Sequence, residues 1–312
     1  MTPDAMVEMK RSAGEAVPAG KEPEMASARV EAHVRELAGV IGERNVFRPQ
    51  ALQAAADYIE RTWRAQGYPV SIQTFEAYGQ RCANLEASRP GPGRPGEILL
   101  IGAHYDTVRG CPGANDNASG VAAMLEIARD FAELAPRLTV RFVAFVNEEP
   151  PSFHTGQQGS AVYAKAARQR GDDIRLMVSL ETIGCYLDTP GSQRYPPLFR
   201  HFFPDRGNFL GLVSDFRSGR ALRRMARTFK RHSDFPLEHV ATFRWIPGIA
   251  WSDHLSFWRE GYQALMATDT AFYRYRYYHT PEDTPDKLNY PALGRATAAL
   301  SRCFAAMAEE GL

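Results

Sequence analysis

A small set of imidazole and carboxylate residues ends apolar stretches of this chain or opens the loops beside them. His104 and Asp106 close "EILLIGAHYD", Asp116 lies in "GCPGANDNASG", and Glu148 and Glu149 close "LTVRFVAFVNEE". Glu181 closes "IRLMVSLE", and His279 stands in "YYHTPEDTPDKL". The adjacent glutamates pose the sharpest question, because like charges repel and neither is readily buried without a partner. A solvated loop is one answer; the other is that one glutamate holds a cation while its neighbour moves a proton. Imidazoles and carboxylates without thiolates suit a hydrolytic zinc site, with cobalt and manganese the other ions such donors accept. Two ions about 3.5–4 Å apart need one shared carboxylate and about two further ligands each. Five donors with Asp116 as the bridge meet that count, and whichever glutamate of the pair is not a ligand is then free to act as a base.

Taken singly, these pieces have plainer explanations. "NDNASG" is also an Asx-capped helix start, paired glutamates are common on surfaces, and "YHTPEDTPDKL" is also a proline-rich turn. Order and placement separate the two readings. The sequence predicts helices over "SARVEAHVRELAGVIGERN", stopped near Gly42, and over "PQALQAAADYIERTWRAQG", closed by Gly67. "YPVSIQTFEAY" alternates as a strand does, and "RPGPGRPG" is a turn between strand-like residues. Strands then alternate with helices. "EILLIGAHYD", "LTVRFVAFV", "IRLMVSLE" and "QALMATDT" are strands; "NASGVAAMLEIARDFAEL", capped by Asn117 and Ser119, "QGSAVYAKAARQRG", "DHLSFWREG" and the closing "YPALGRATAALSRCFAAMAEEG" are helices. That rhythm predicts an α/β fold, an open sheet with helices on both faces, whose function collects at the carboxyl ends of its strands. The candidate donors fall at those ends.

Residues 187–250 break the rhythm and read as an insertion or lid. Within them "RSGRALRRMARTFKRHSDF" sets Leu222, Met225, Ala226 and Phe229 on one helical face and Arg220, Arg223, Arg224, Arg227 and Arg231 on another, a solvated basic face. Residues 1–26, rich in Ala, Gly, Pro, Glu and Lys, read as a disordered tail, which leaves 27–312 as a single domain. The 312 residues are 44% hydrophobic and 23% charged, the range of a globular protein, and the net charge of +1 gives no field for nucleic acid or an anionic membrane. No apolar run is long enough to span a bilayer and no secretory core is evident, so a cytoplasmic location is the expectation. Cys82, Cys111, Cys185 and Cys303 form no CxxC pair, which points away from a disulfide framework or a thiolate metal site.

Together "GAHYDT", "GANDNASGVAAMLEIAR", "FVNEEPPSFHTGQQGS", "SLETIGCY", "SDHLSFW" and "YYHTPEDTPDKL" resemble the M28 family of zinc peptidases, the bacterial leucyl-type aminopeptidases, over roughly residues 28 to 312. The resemblance implies a three-layer α/β/α domain with a mixed, largely parallel sheet and two zinc ions per chain at its carboxyl edge. It implies His104, Asp116, Glu149, Glu181 and His279 as ligands, with Asp116 bridging. Asp106 would orient His104, Glu148 would be the general base, and Tyr278 would help polarise the scissile carbonyl of a peptide substrate. Asp253, in "SDHLSFW", would stand behind the ligands.

Two departures from the family pattern stand out. Glu181 occupies a place where many members have Asp, and "PPSFHTGQQGS", which contains His154, is longer than the usual turn. The aromatic run "AFYRYRYYH" reads either as the wall of a pocket for apolar N-terminal residues or as core packing. The rival readings are a glutaminyl cyclase-like acyltransferase with one zinc, a carboxypeptidase, and a receptor-like scaffold without metals, as in the transferrin receptor. The complete donor set favours the dinuclear peptidase over the cyclase and the scaffold.

Overall fold

Buried apolar residues of alternating facing build the centre of the sheet. The computed structural model describes residues 22–312, so residues 1–21 of the expected tail lie outside it. The first helix, α1, spans Glu22–Val34 and continues as a wider turn to Ile41, so it starts ahead of the expected Ser27. Helix α2 covers Pro49–Ala65, and Gly67 beyond it takes the left-handed backbone expected of a helix stop. The strands are β1 (Val70–Ala77), β2 (Gln80–Arg89), β3 (Arg94–His104), β4 (Leu138–Phe145), β5 (Asp173–Glu181), β6 (Leu210–Ser214), β7 (Leu237–Ala241) and β8 (Ala264–Thr268). The remaining helices are α3 (Gly120–Ala132), α4 (Gly159–Arg170), α5 (Gly219–His232), α6 (His254–Arg259) and α7 (Tyr290–Glu310).

All eight strands form one sheet in the order β1-β2-β4-β3-β5-β8-β6-β7. The neighbours β4, β3, β5 and β8 are mutually parallel, while β1, β2 and the β8–β6 junction are antiparallel. This is the mixed α/β/α architecture that the sequence predicts. Along β3, Leu99 and Ile101 join the core under α1, α2, α3, α5 and α7, whereas Ile98 and Leu100 join the core under α4 and α6. A strand covered on both faces reads as a continuous apolar run, which is why "ILLI" marks the middle of the sheet.

Segment 187–250 contributes β6 and β7 to this same sheet, with α5 packed beside them. These strands have only five residues each and sit among Gly, Pro and Arg, too short for a period-two signal to stand out. On α5, Leu222, Met225, Ala226 and Phe229 are buried, while Arg220, Arg223, Arg227 and Arg231 face solvent. One expected cap behaves otherwise. Asn117 Oδ1 accepts from Gly120 N at 3.1 Å, as a cap should, but Ser119 Oγ donates to the Asn115 carbonyl and accepts from Ile183 N. Ser119 therefore ties the Asp116 loop to the end of β5 instead of capping α3.

Candidate metal centre

Parallel strands deliver their carboxyl ends to one rim, so side chains far apart in sequence meet there. His104 is the last residue of β3, Glu181 the last of β5, and Glu148 and Glu149 follow β4 by three and four residues. Asp116 sits in the loop between β3 and α3, and His279 in the loop after β8. All converge. His104 Nε2 lies 3.2 Å from Asp116 Oδ1 and 3.3 Å from Glu181 Oε2. His279 Nε2 lies 3.0 Å from Asp116 Oδ2 and 3.1 Å from Glu149 Oε1. Asp116 thus turns one oxygen toward each of two clusters, His104–Asp116–Glu181 and Asp116–Glu149–His279, and each cluster is compact enough to hold a metal ion. His104, Glu148 and Glu149 make a third, overlapping group.

The donors fit zinc on their own chemistry. Each cluster offers one imidazole and two carboxylates, a hard-to-borderline set with no sulfur. Neither ring nitrogen of His104 nor Oδ1 of Asp116 makes a hydrogen bond although all are buried, which leaves them available to a shared cation. Electrostatics point the same way. Burial, reinforced by Glu149, Glu181 and Asp253, raises the Glu148 carboxyl well above its ordinary value. Burial and the charge of Asp116 push Glu149 up to about 7, and burial with Glu181 and Asp106 pushes Asp253 up to about 7. Burial would lower both histidines, but Glu181, Asp106 and Asp116 hold His104 well above its usual value, and Asp116 and Glu149 bring His279 up to about 10. A pit in which Glu148, Glu149 and Asp253 resist ionising, Asp116 is held low by His104 and His279, and the imidazoles hold protons is short of positive charge.

Asp106 does more than face His104, whose Nδ1 is 3.5 Å from Asp106 Oδ1. Its carboxylate accepts the backbone N–H groups of Glu148 at 3.0 Å and Glu149 at 3.1 Å, fixing the start of the loop that carries both glutamates. Gln158 donates to the Glu148 carbonyl at 3.0 Å, and Ser252 Oγ donates to Glu181 Oε2 at 2.7 Å. Tyr278 stacks on the His279 ring at 3.9 Å. His154 is held elsewhere in its loop, stacked on Phe153 and bonded to the Ala250 carbonyl.

Three supporting residues escape sequence reasoning. Arg44, read only as part of a helix stop, is fully buried and donates to the carbonyls of Tyr105, Leu37, Gly42, Pro112 and Gly113, cinching the stretch that carries Asp106 and leads to Asp116. Asp283 accepts from Asn115 N at 2.8 Å, Asp116 N at 3.1 Å and Tyr275 OH at 2.8 Å. Asp269, one residue past β8, accepts from Asn115 Nδ2 and Cys185 N. Asp269 obeys the same strand-end rule that exposes the other acids and was there to be found. Arg44 and Asp283 act through backbone groups whose positions exist only in the folded chain.

Beside the centre lies an apolar hollow, about 810 Å³ with the space that opens to solvent, lined by Glu181 and Tyr278 and by residues including Phe199, Phe209, Trp251 and Phe272. Part of the "AFYRYRYYH" run therefore faces this hollow, through Ala271, Phe272, Tyr273 and Tyr278.

Imidazoles and carboxylates gathered at the carboxyl edge of a mixed α/β sheet, with no thiolate among them, define a metal-dependent hydrolase. Residues 84–303 match the model of peptidase family M28, and the chain belongs to that family of zinc metallopeptidases, which act on peptides. It is 37% identical over 276 residues to the Escherichia coli K12 protein named uncharacterized protein YfbL, covering 86% of this chain and 84% of that one. It is 35% identical over 125 residues to leupeptin-inactivating enzyme 1 of Streptomyces exfoliatus, a stretch that is 38% of this chain and 28% of that enzyme. Among solved structures its fold matches BSAP, a zinc aminopeptidase from Bacillus subtilis, with TM-score 0.71 at 14% identity over 89% of this chain and 94% of that one. It also matches the LapA aminopeptidase of Legionella pneumophila, with TM-score 0.71 at 17% identity over all of this chain and 78% of that one. Among the described residues no helix is long and apolar enough to cross a membrane.

Proposed function

We propose that this peptidase is a dinuclear-zinc aminopeptidase, releasing the N-terminal residue from peptides. One observation carries the reading: Asp116 presents its two oxygens to two histidines in separate clusters, as a bridging carboxylate must. His104, Asp116 and Glu181 would hold one zinc, and Asp116, Glu149 and His279 the other. Zinc, when bound, supplies a Lewis acid that polarises the scissile carbonyl and acidifies water. The remaining work falls to the chain. Glu148, buried at the rim beside Glu149, takes the proton of the attacking water and returns it to the departing amine. Asp106 holds the Glu148 backbone and the His104 ring in register. Tyr278, which stacks on His279 and lines the hollow, would donate to the developing oxyanion.

The test is zinc per chain by elemental analysis, with turnover of aminoacyl and N-blocked chromogenic substrates before and after chelation. The expected results are two zinc ions and cleavage that requires a free amine. One zinc with cyclisation of N-terminal glutamine supports the cyclase instead, and cleavage of blocked substrates alone defeats the aminopeptidase reading.

A further inference from the structure

The hollow beside the metal centre contains one charged side chain that the chemistry above does not use. Strand register locates it. Glu181 on β5 pairs with Thr268 on β8, Thr268 with Gly211 on β6, and Gly211 with Glu238 on β7. Partners in register share a face, so these four residues form one row across the sheet. The face is the one away from α5, because Leu237 packs in the core beneath α5 while Val240 packs with the opposite cluster. Three strand spacings of about 4.8 Å make the row about 14 Å long, from a zinc-cluster carboxylate to Glu238.

Gly211 leaves the middle of that row without a side chain. A Cβ built there would sit 3.3 Å from the Thr268 carbonyl oxygen, so even alanine would crowd the trough floor. Aromatic residues including Phe199, Phe203, Trp251 and Phe272 line the hollow. Tyr278 is assigned to the reaction above, His239 alternates to the other face of β7, and further polar residues of the lining are committed to bonds within the chain. Gln193 bonds Thr270 and Arg274, Thr268 bonds Thr182, Tyr195 bonds the Pro204 carbonyl and Tyr273 the Pro247 carbonyl. Glu238 is different. Lys230 on α5 influences it from a distance, but among the described residues no hydrogen bond or ion pair reaches its half-buried carboxylate. A half-buried carboxylate at the end of an apolar trough, unpaired within the described residues, is available to a ligand that brings the opposite charge.

We infer that Glu238 determines specificity and that the trough takes a long basic side chain, lysyl or arginyl, from the substrate's N-terminal residue. The inference rests on the aminopeptidase reading for its chemistry and on the sheet register for its geometry. Lysine and arginine join an aliphatic stem, which suits the apolar floor, to a cationic head that meets Glu238. Aromatic walls add favourable contact with the cation, and more with guanidinium.

The experiment compares kcat/KM for arginyl, lysyl, leucyl, phenylalanyl and alanyl aminomethylcoumarins, in the wild type and in Glu238→Gln, Glu238→Asp and Gly211→Val. It is paired with calorimetric binding of L-arginine and L-leucine to the zinc-loaded protein. The expected result is a basic-over-leucyl preference of about tenfold or more, lost in Glu238→Gln and largely kept in Glu238→Asp. Gly211→Val, which fills the trough, should lower the arginyl-to-alanyl ratio and gives an independent check on the row. A wild type that prefers leucyl or phenylalanyl substrates, or a Glu238→Gln variant that alters all substrates in proportion, overturns the inference. If no aminoacyl substrate is cleaved but arginine binds in a Glu238-dependent way, the aminopeptidase reading fails while the assignment of the trough stands.

Discussion

Asp283 should set zinc affinity although it belongs to neither cluster. Three donors converge on its carboxylate: Asn115 N and Tyr275 OH, each 2.8 Å from Oδ1, and Asp116 N, 3.1 Å from Oδ2. Two of these donors are backbone groups in the loop that presents Asp116. In Asp283→Ala both lose their acceptor inside a buried loop, at about 1–3 kcal/mol each, or about 2–6 kcal/mol together. In Asp283→Asn one orientation keeps the carbonyl oxygen on Asn115 N and Tyr275 OH and turns the amide NH2 against Asp116 N–H. A single orphaned donor then costs about 1–3 kcal/mol. Part of that energy goes into misplacing Asp116, and since about 1.4 kcal/mol is a factor of ten in binding, zinc affinity should fall about 10–100-fold in Asp283→Asn and further in Asp283→Ala. The assay is competition with a chromophoric zinc chelator, alongside urea unfolding of the metal-free proteins. It is run on the alkaline side of the Asp283 carboxyl, which burial pushes up to about 6. The order wild type, Asn, Ala should appear in both measurements. If both variants hold zinc within about threefold of the wild type, Asp283 does not position the shared ligand and the loop is rigid without it.

Glu148→Gln should lower kcat by about 10²–10⁴-fold with zinc content unchanged, read by steady-state kinetics and elemental analysis; full activity would remove Glu148 from the base position. Gly120→Ala should lower the unfolding free energy read in urea by about 1–3 kcal/mol, because the added methyl would overlap Asn117 Oδ1 and the Leu180 carbonyl where α3 starts against β5. Far from the site, burial would raise the Glu126 carboxyl, but hydrogen bonds from His33 and Arg29 and the charge of Arg129 lower it from 4.5 to about 2. A carboxylate lowered by folding stabilises above its unfolded value and loses that contribution as pH falls from 4.5 toward about 2. Glu126→Gln should therefore cost about 1–3 kcal/mol at neutral pH, and the gap to the wild type should close in acid unfolding series, whereas a gap independent of pH would refute the ion-pair account.

The cation cradle was legible because its donors are polar residues that terminate apolar runs. A strand buried on both faces announces itself, and the acid or imidazole that ends it marks a strand end. His104, Glu148 with Glu149, and Glu181 are all found this way. The order of the strands was not legible in the same detail. β6 and β7 are short and lie between prolines and glycines; β6 gains its place in the sheet from β8, about 50–60 residues further along the chain, and β7 pairs with β6. Arg44 illustrates a deeper limit. Its guanidinium serves five carbonyls supplied by separate turns, and no spacing within "GERN" encodes where those carbonyls will be. Sequence reveals which side chains have chemistry to offer, while the groups that hold them still are mostly backbone atoms shared by every residue type.

The direction of β6 explains how one sheet can carry both the cation cradle and the trough. The four parallel strands β4, β3, β5 and β8 bring carboxyl ends to the rim, and from those ends come loops bearing the candidate ligands. β6 runs the other way, with β7 parallel to it, so at the same rim these two present their amino ends. What they offer the site is a strand face, on which Gly211 and Glu238 stand in register with Thr268 and Glu181. The candidate ligands thus sit at strand ends and on the loops that follow them, while the residues proposed to set selectivity sit on an outer strand pair. The two sets should separate experimentally. Substitutions at 104 or 116 should remove zinc, while substitutions at 211 or 238 should change the ratio between substrates.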